Sequence, residues 1–257
     1  MEKKIHAVGA VPAICLVQRR RLVVGATLDQ LAEVDQAPNK RKAGVRDLGE
    51  VIAQALPAGL TVSATLFAAH AVGIQVFATG GIGGVHHGAE VSGDVSSDLY
   101  QLARTPVVTV CAGAKSVLDL PRTLEYLETL GVPVVTYRSS YFPAFYLTSS
   151  GIETAGVESA DEVAEIARVQ WALRNAAGLV VGNPLPAAGA IPAKLWEEWA
   201  DRAYASAGRD GIHGTAVTPY LLDKVATYSQ GETVRANLAL LFGNARLAAE
   251  IAVSLGS

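Results

Sequence analysis

Ile74-Gln75-Val76-Phe77-Ala78-Thr79-Gly80-Gly81-Ile82-Gly83-Gly84-Val85-His86-His87-Gly88 decides the fold class. A largely apolar run, Ile74 to Ala78, empties into glycines, as a buried strand does when it ends in a ligand-binding turn. Open α/β sheets bind their ligands at such carboxyl ends. Glycines let backbone N–H groups converge on an anion, so phosphate is the natural guest. The nucleotide fingerprints nevertheless fail: Gly81-x-Gly83-x-x puts His86 where a dinucleotide turn needs glycine, and no Gly-Lys-Ser/Thr closes a P-loop. A glycine-rich turn alone is as often a structural feature.

Working outward, short β-rich runs alternate with helix-period segments. Val11 to Val17, Leu22 to Gly25, Ile74 to Thr79, Val107 to Cys111, Val132 to Tyr137 and Gly178 to Val181 read as strands. Asp47 to Leu56, Thr61 to Ala71, Asp98 to Arg104, Pro121 to Leu130, Ser159 to Asn175, Ala193 to Ser206 and Thr233 to Val253 read as helices. This alternation argues for a mainly parallel sheet covered by helices. No repeat, linker or low-complexity tract divides the chain, so one domain over residues 1–257 is expected.

Composition narrows the function classes. The chain has 257 residues, 50% hydrophobic and 18% charged, with a formal net charge of −3. Its basic residues form no stripe, although Arg19-Arg20-Arg21 and Lys40-Arg41-Lys42 are local clusters, so a nucleic acid polymer is not an expected partner. Cys15 and Cys111 lie in apolar strand-like runs and read as buried thiols of a reducing compartment. Met1-Glu2-Lys3-Lys4 leads into Ile5-His6 and Gly9 instead of a signal-peptide core. The run Thr61 to Gly73 is interrupted by His70 and falls short of the roughly 20 apolar residues of a membrane span. A cytoplasmic protein without a membrane partner is expected.

Several side chains carry chemistry. Asp98 is placed to cap the helix that follows it, whereas Asp94 precedes the cap and is free to meet a hard cation such as Mg²⁺ or Mn²⁺, largely through waters. No Cys/His cluster has zinc spacing. Lys115 follows the strand Val107 to Cys111 and stands where a helix is expected to begin near Ser116. Exposed, it would be an ordinary surface lysine. Desolvated, with Lys42 as a second cation nearby, its pKa would fall and its amine would become a nucleophile toward an aldehyde. His86 and His87 are adjacent on an extended chain and so point to opposite sides, one of them toward a ligand. His70 and His213 have no ligand-like spacing, and Trp171, Trp196 and Trp199 read as core or interface aromatics.

Phe77-Ala-Thr-Gly-Gly-Ile-Gly-Gly-Val-His86, Asp94-Val-Ser-Ser-Asp98-Leu, Cys111-Ala-Gly-Ala-Lys115-Ser-Val-Leu-Asp119 and Arg122-Thr-Leu-Glu-Tyr-Leu-Glu-Thr-Leu-Gly-Val-Pro-Val134 together resemble the pseudouridine-5′-phosphate glycosidase, or indigoidine synthase A-like, family. So do Phe142-Pro-Ala-Phe-Tyr146, Ser149-Ser-Gly151, Asn183-Pro184, Ala236-Asn237 and Asn244-Ala-Arg-Leu-Ala-Ala249. The resemblance runs from about Val11 almost to the C-terminus, in order.

The resemblance implies an α/β/α sandwich with a mainly parallel central sheet, usually a homotrimer. It implies reversible cleavage of the C–C bond between uracil and ribose 5-phosphate, with a Mn²⁺-type ion, so the partner is a small nucleotide or sugar phosphate. By motif, Lys115 corresponds to the nucleophile that forms an imine with the opened sugar, and Lys42 to a substrate-binding lysine. Val62 corresponds to a helix-start backbone contact, Asp94 to the metal site, and Ser96, Ser97 and Asp98 to the sugar-phosphate and metal-water region. Asn237 matches an asparagine near the base, and Thr79 and His86 match phosphate or sugar contacts. A C-glycosidic bond lacks a heteroatom leaving group, and an imine supplies the electron sink its cleavage needs.

The sequence departs from the family in three places. Family members carry an upstream Glu-Ser-Thr strand with the proton-donor glutamate before the motif seen here as Gly9 to Ala13, and no residue here matches that glutamate. Val45 and His87 stand where arginines are common. A late start and a shortened homologue both account for the first difference. Two alternatives to the lyase are therefore open: a C-glycosynthase joining ribose 5-phosphate to another aromatic acceptor, and a catalytically impaired sugar-phosphate-binding homologue.

Overall fold

The computed structural model describes residues 2–212 and 217–256; Met1 and His213 lie outside the described residues. The strands are β1 Cys15–Gln18, β2 Arg21–Val24, β3 Arg41–Ala43, β4 Ala58–Leu60, β5 Val76–Ala78, β6 Val108–Cys111, β7 Val134–Tyr137, β8 Ala155–Val157 and β9 Leu179–Gly182. The helices are α1 Glu2–His6, α2 Leu28–Gln36, α3 Leu48–Ala53, α4 Val62–Ala71, α5 Ala89–Ser92, α6 Ser97–Leu102, α7 Leu120–Thr129, α8 Ala160–Ala172, α9 Ala193–Arg209, α10 Val217–Tyr228 and α11 Glu232–Gly256.

Five strands form an all-parallel sheet in the order β5-β6-β9-β7-β8. Its central strands β6 and β9 are buried along their whole length, which is why they read as unbroken apolar runs. Alternate residues feed opposite cores. Cys111 and Val180 face a core that includes Leu66, Leu99, Leu127, Trp196 and Leu221, from α4, α6, α7, α9 and α10. Val108, Val110, Leu179 and Val181 face a second core with Val163 and Ala167 of α8 and Leu247 and Ile251 of α11. Helices on both faces of a parallel sheet make the expected α/β/α sandwich.

Helix α11 is long and apolar enough in composition to cross a membrane. Here it packs on α8, β5 and β6, and contributes Ala236 and Leu240 to one core and Leu247 and Ile251 to the other. Serving two cores demands apolar residues around much of the helix.

A second sheet, order β2-β1-β4-β3, is antiparallel except for the β3/β4 pair. Its strands β3 and β4, like β8 in the large sheet, have three residues each, too few to show a period. The expected strand from Val11 shrinks to Cys15–Gln18. The basic triplet is a turn: Gln18 pairs with Arg21 across a two-residue hairpin loop, with Arg19 at φ 50° and Arg20 at φ 62°. Such turns favour Asn-Gly because both residues are left-handed. Replacing Arg19-Arg20 by Asn-Gly is therefore expected to stabilise the protein by about 1–2 kcal/mol in urea unfolding, since the left-handed penalty outweighs the exposed Arg19–Glu33 ion pair.

Where β6 ends, Gly113 adopts φ +88°, and a Cβ there would sit 1.9 Å from the Pro143 carbonyl oxygen. Gly113→Ala is expected to cost about 2–5 kcal/mol from strain and overlap together, read as a lowered urea midpoint.

Candidate active site

The site forms where β5 and β6 run out. Ile82 N–H donates to the Gly113 carbonyl (3.1 Å) and Lys115 N–H donates to the Ile82 carbonyl (3.1 Å), so the two strand-end loops remain zipped beyond the sheet. Lys115 is thereby held alongside the glycine loop. It stands on a turn, Leu118 N–H donating to its carbonyl, and α7 begins only at Leu120 with Asp119 as its cap. The helix expected near Ser116 thus starts later, because Asp119 followed by Pro121 is the stronger start signal.

The glycines are spatial requirements. A Cβ on Gly81 would lie 2.7 Å from the Phe145 ring, one on Gly83 2.2 Å from Ser96 Oγ and 2.7 Å from Asp98 Oδ2, and one on Gly84 2.4 Å from Thr123 Oγ1. The loop is pressed against the residues that build the site.

Asp98 is the organising residue. It is 4% exposed, its Oδ1 accepts from Ser63 N–H at 2.8 Å and its Oδ2 from Gly83 N–H at 2.9 Å. The expected capping role belongs instead to Ser96, whose Oγ accepts from Asp98 N–H at 3.2 Å. Asp98 sits inside α6 and its carboxylate ties the start of α4 to the glycine loop. Ser63 and Thr61 were not singled out in the sequence. Ser63 Oγ lies 2.9 Å from Thr61 Oγ1, and accepts from Ser97 Oγ (3.3 Å) and Val45 N–H (3.3 Å). The signal for them, hydroxyls at a helix start, is common to ordinary caps. Here Thr61 makes no side-chain cap bond, and Val62 is the buried first residue of α4.

Lys42 lies on β3, whose end is joined to α4 by Thr61 N–H donating to Ala43 O. It is exposed, and its charge acts on Lys115. The Lys115 amine is lowered below the usual lysine value, first by burial and then by Lys42, while Asp98 pulls it back up. The structure thus brings together Lys115, Asp98 and Lys42 with Ser63, Ser96 and Ser97 beside them.

Two further groups flank the loop. At its start, the Thr79 carbonyl accepts from Asn244 Nδ2 at 2.7 Å, and Asn244 Oδ1 accepts from Asn183 Nδ2 at 3.0 Å. Asn237 stands next to Gly80, its Oδ1 3.3 Å from where a Cβ would be. At the loop's end, His86 is half-buried, with Nδ1 4.0 Å from Asp94 Oδ2 and Nε2 3.4 Å from Thr218 Oγ1. Burial lowers the His86 pKa, opposed by Asp94 and assisted by Lys115 and His87. His87 points the other way, exposed, 3.9 Å from Asp119 Oδ2 and edge-on to Tyr204. The pair is not extended as expected: Ala89 N–H donates to the His86 carbonyl at 3.0 Å, so His86-His87 opens a turn into α5.

Asp94, the residue expected at a cation, is partly exposed and its Oδ2 lies 4.0 Å from His86 Nδ1. Among the described residues no three His, Cys, Asp or Glu side chains are gathered as a metal cage. One partly exposed carboxylate beside a histidine fits only an ion held mostly by water.

A partly buried lysine with lowered pKa, a buried carboxylate and a glycine loop gather at the carboxyl end of a parallel sheet, where open α/β folds place their ligand sites. The family model for indigoidine synthase A like protein matches residues 1–254, and the chain belongs to that family. A pseudouridine-5′-phosphate glycosidase of Dinoroseobacter shibae is 45% identical over 258 residues, covering 100% of this chain and 85% of the relative. One of Caldanaerobacter subterraneus subsp. tengcongensis is 44% identical, covering 99% and 83%. Among solved structures, the prealnumycin C-glycosynthase AlnA in complex with ribulose 5-phosphate aligns with a TM-score of 0.92 at 34% identity, covering 99% of this chain and 84% of that one. An indigoidine synthase A-like protein of Thermotoga maritima aligns with a TM-score of 0.90 at 34% identity, covering 99% and 86%.

Proposed function

We propose that this chain reversibly cleaves the C-glycosidic bond of pseudouridine 5′-phosphate to uracil and ribose 5-phosphate through an imine on Lys115. The observation that carries this reading is the lysine itself: an amine lowered by burial, next to a carboxylate fixed by two backbone N–H groups. Neutral, it adds to the anomeric carbon while the ring C–O bond breaks and the ring oxygen takes a proton. The nitrogen lone pair then expels uracil: the C–C bond breaks, its electrons go to the uracil carbon, and that carbon takes a proton. Water hydrolyses the imine, which returns the amine and leaves ribose 5-phosphate. The fixed negative charge of Asp98 favours the cationic iminium over the neutral amine.

Lys42, Thr79, His86 and the Val62 backbone are assigned to the phosphate and sugar, with Ser96, Ser97 and Asp98 beside the sugar and Asn237 toward the base. A water-held Mn²⁺ is assigned to Asp94. Asp94→Asn is expected to weaken Mn²⁺ binding, read from the EPR signal of the free ion. Association as a homotrimer belongs to the same reading and is supported by exposed Val234, Leu238 and Phe242, spaced every four residues along α11. Sedimentation tests it.

The test is incubation of the folded chain with pseudouridine 5′-phosphate and Mn²⁺. Release of free uracil is expected; its absence overturns the reading. A second reading, C–C bond formation to another aromatic acceptor, is favoured by the likeness to AlnA. Ribose 5-phosphate with a panel of aromatic acceptors tests that.

The pH dependence has a definite sign. Activity should rise as pH climbs through the lowered Lys115 pKa, because the neutral amine is the nucleophile. Lys42 is a like charge that lowers this pKa, so Lys42→Met should move the rising limb of kcat to higher pH. An unchanged or acid-shifted limb contradicts the assignment.

A further inference from the structure

Lys115 opens a turn that is held at three points. At its ends the holds are backbone to backbone: Lys115 N–H donates to the Ile82 carbonyl at 3.1 Å and Asp119 N–H to the Val85 carbonyl at 2.9 Å, both in the glycine loop. Between them the hold is a side chain. The Tyr204 hydroxyl of α9 donates to the carbonyl of Val117, which is 2% exposed and two residues past the lysine. Ser116 lends no help, since among the described residues its buried Oγ has no hydrogen-bond partner. The Tyr204 ring also lies edge-on to His87, with centroids 5.8 Å apart. One residue of α9 thus touches both loops that flank the site. Burial pushes the Tyr204 phenol up to about 12, so it keeps its proton and stays a donor at neutral pH.

A turn fixed only at its ends can still tilt its middle, and a misplacement of about 1 Å at a nucleophile can cost about 10²-fold in rate. We propose that Tyr204 is a positioning residue: through the Val117 carbonyl it fixes the turn so that the Lys115 amine is aimed at the anomeric carbon of the sugar. This rests on the imine reading above. Tyr204 acts through the turn and is not itself a catalytic group.

Tyr204→Phe keeps the ring beside His87 and removes only the donor. Tyr228→Phe is the control: it removes the hydroxyl that lies 3.1 Å from Ser206 Oγ, which weakens the packing of α10 on α9 without touching the turn. Each chain is mixed with ribose 5-phosphate, portions are reduced with borohydride at timed intervals, and the adduct on Lys115 is followed by mass spectrometry. The final extent reports the folded fraction, whereas the rate reports how the amine meets the sugar. Tyr204→Phe is expected to form the adduct about 10–100-fold more slowly, to the same extent and with the same half-saturating sugar concentration. Amide exchange at Leu118 and Asp119, whose N–H groups close the turn, should be about tenfold faster in this variant. Tyr228→Phe should match the parent in both. The proposal is overturned if Tyr204→Phe traps at the parent's rate, if Tyr228→Phe is slowed as much, or if exchange at the two amides is unchanged. A parent that forms no adduct on Lys115 overturns the function reading instead; the exchange then decides alone, faster in Tyr204→Phe only if the hydroxyl holds the turn.

Discussion

Lys115→Ala should lose uracil release by on the order of 10⁴-fold or more while keeping nearly all of its stability. Both halves follow from one observation. The amine is lowered because burial, helped by Lys42, disfavours its charge by more than Asp98 favours it, so the fold gains little from holding it there and loses little when it is removed. Lys115→Arg should be as inactive, because a guanidinium keeps its proton and forms no imine. Initial rates of uracil release beside urea unfolding of the same preparations check this. A Lys115→Ala variant that retains even a tenth of the rate would move the nucleophile elsewhere.

Asp98→Ala should be the most destabilising substitution in the site. It leaves the N–H groups of Ser63 and Gly83 buried without acceptors, at about 1–3 kcal/mol each. A loss of about 2–6 kcal/mol is a large share of the 5–15 kcal/mol that typically holds a domain together. Asp98→Asn keeps one carbonyl oxygen for one of the two donors and should lose less. Activity should fall in both, because the positive charge on the imine nitrogen loses its partner. The urea midpoint and the borohydride-trapped fraction give the two effects separately. Asp98→Ala with the stability of the parent would show that the carboxylate does not join α4 to the glycine loop.

Asp98 also shows where sequence reading stops. Ser96-Ser97-Asp98-Leu99 carries a helix-start signal, and locally an aspartate there is a cap. Its true partners lie 35 and 15 residues away, at Ser63 and Gly83, and no local pattern announces them. The glycine turn was legible because an apolar run ending in glycines has few other uses. Val62 was legible only through the family resemblance, whereas Lys42 was expected as a second cation near Lys115; the strands that place it, β3 and β4, are too short to show a period. The Arg19-Arg20 hairpin was hidden for a different reason: its turn residues are not the ones its backbone favours. The long apolar α11 makes sense only once two cores are seen to share it.

The central claim is that Lys115 carries the sugar as an imine, and trapping tests it most directly. The chain is mixed with ribose 5-phosphate, reduced with borohydride, digested and sequenced by mass spectrometry. A reduced pentose-phosphate adduct on Lys115, absent from Lys115→Ala, is the predicted result. An adduct on another lysine, or equal trapping in the variant, contradicts it.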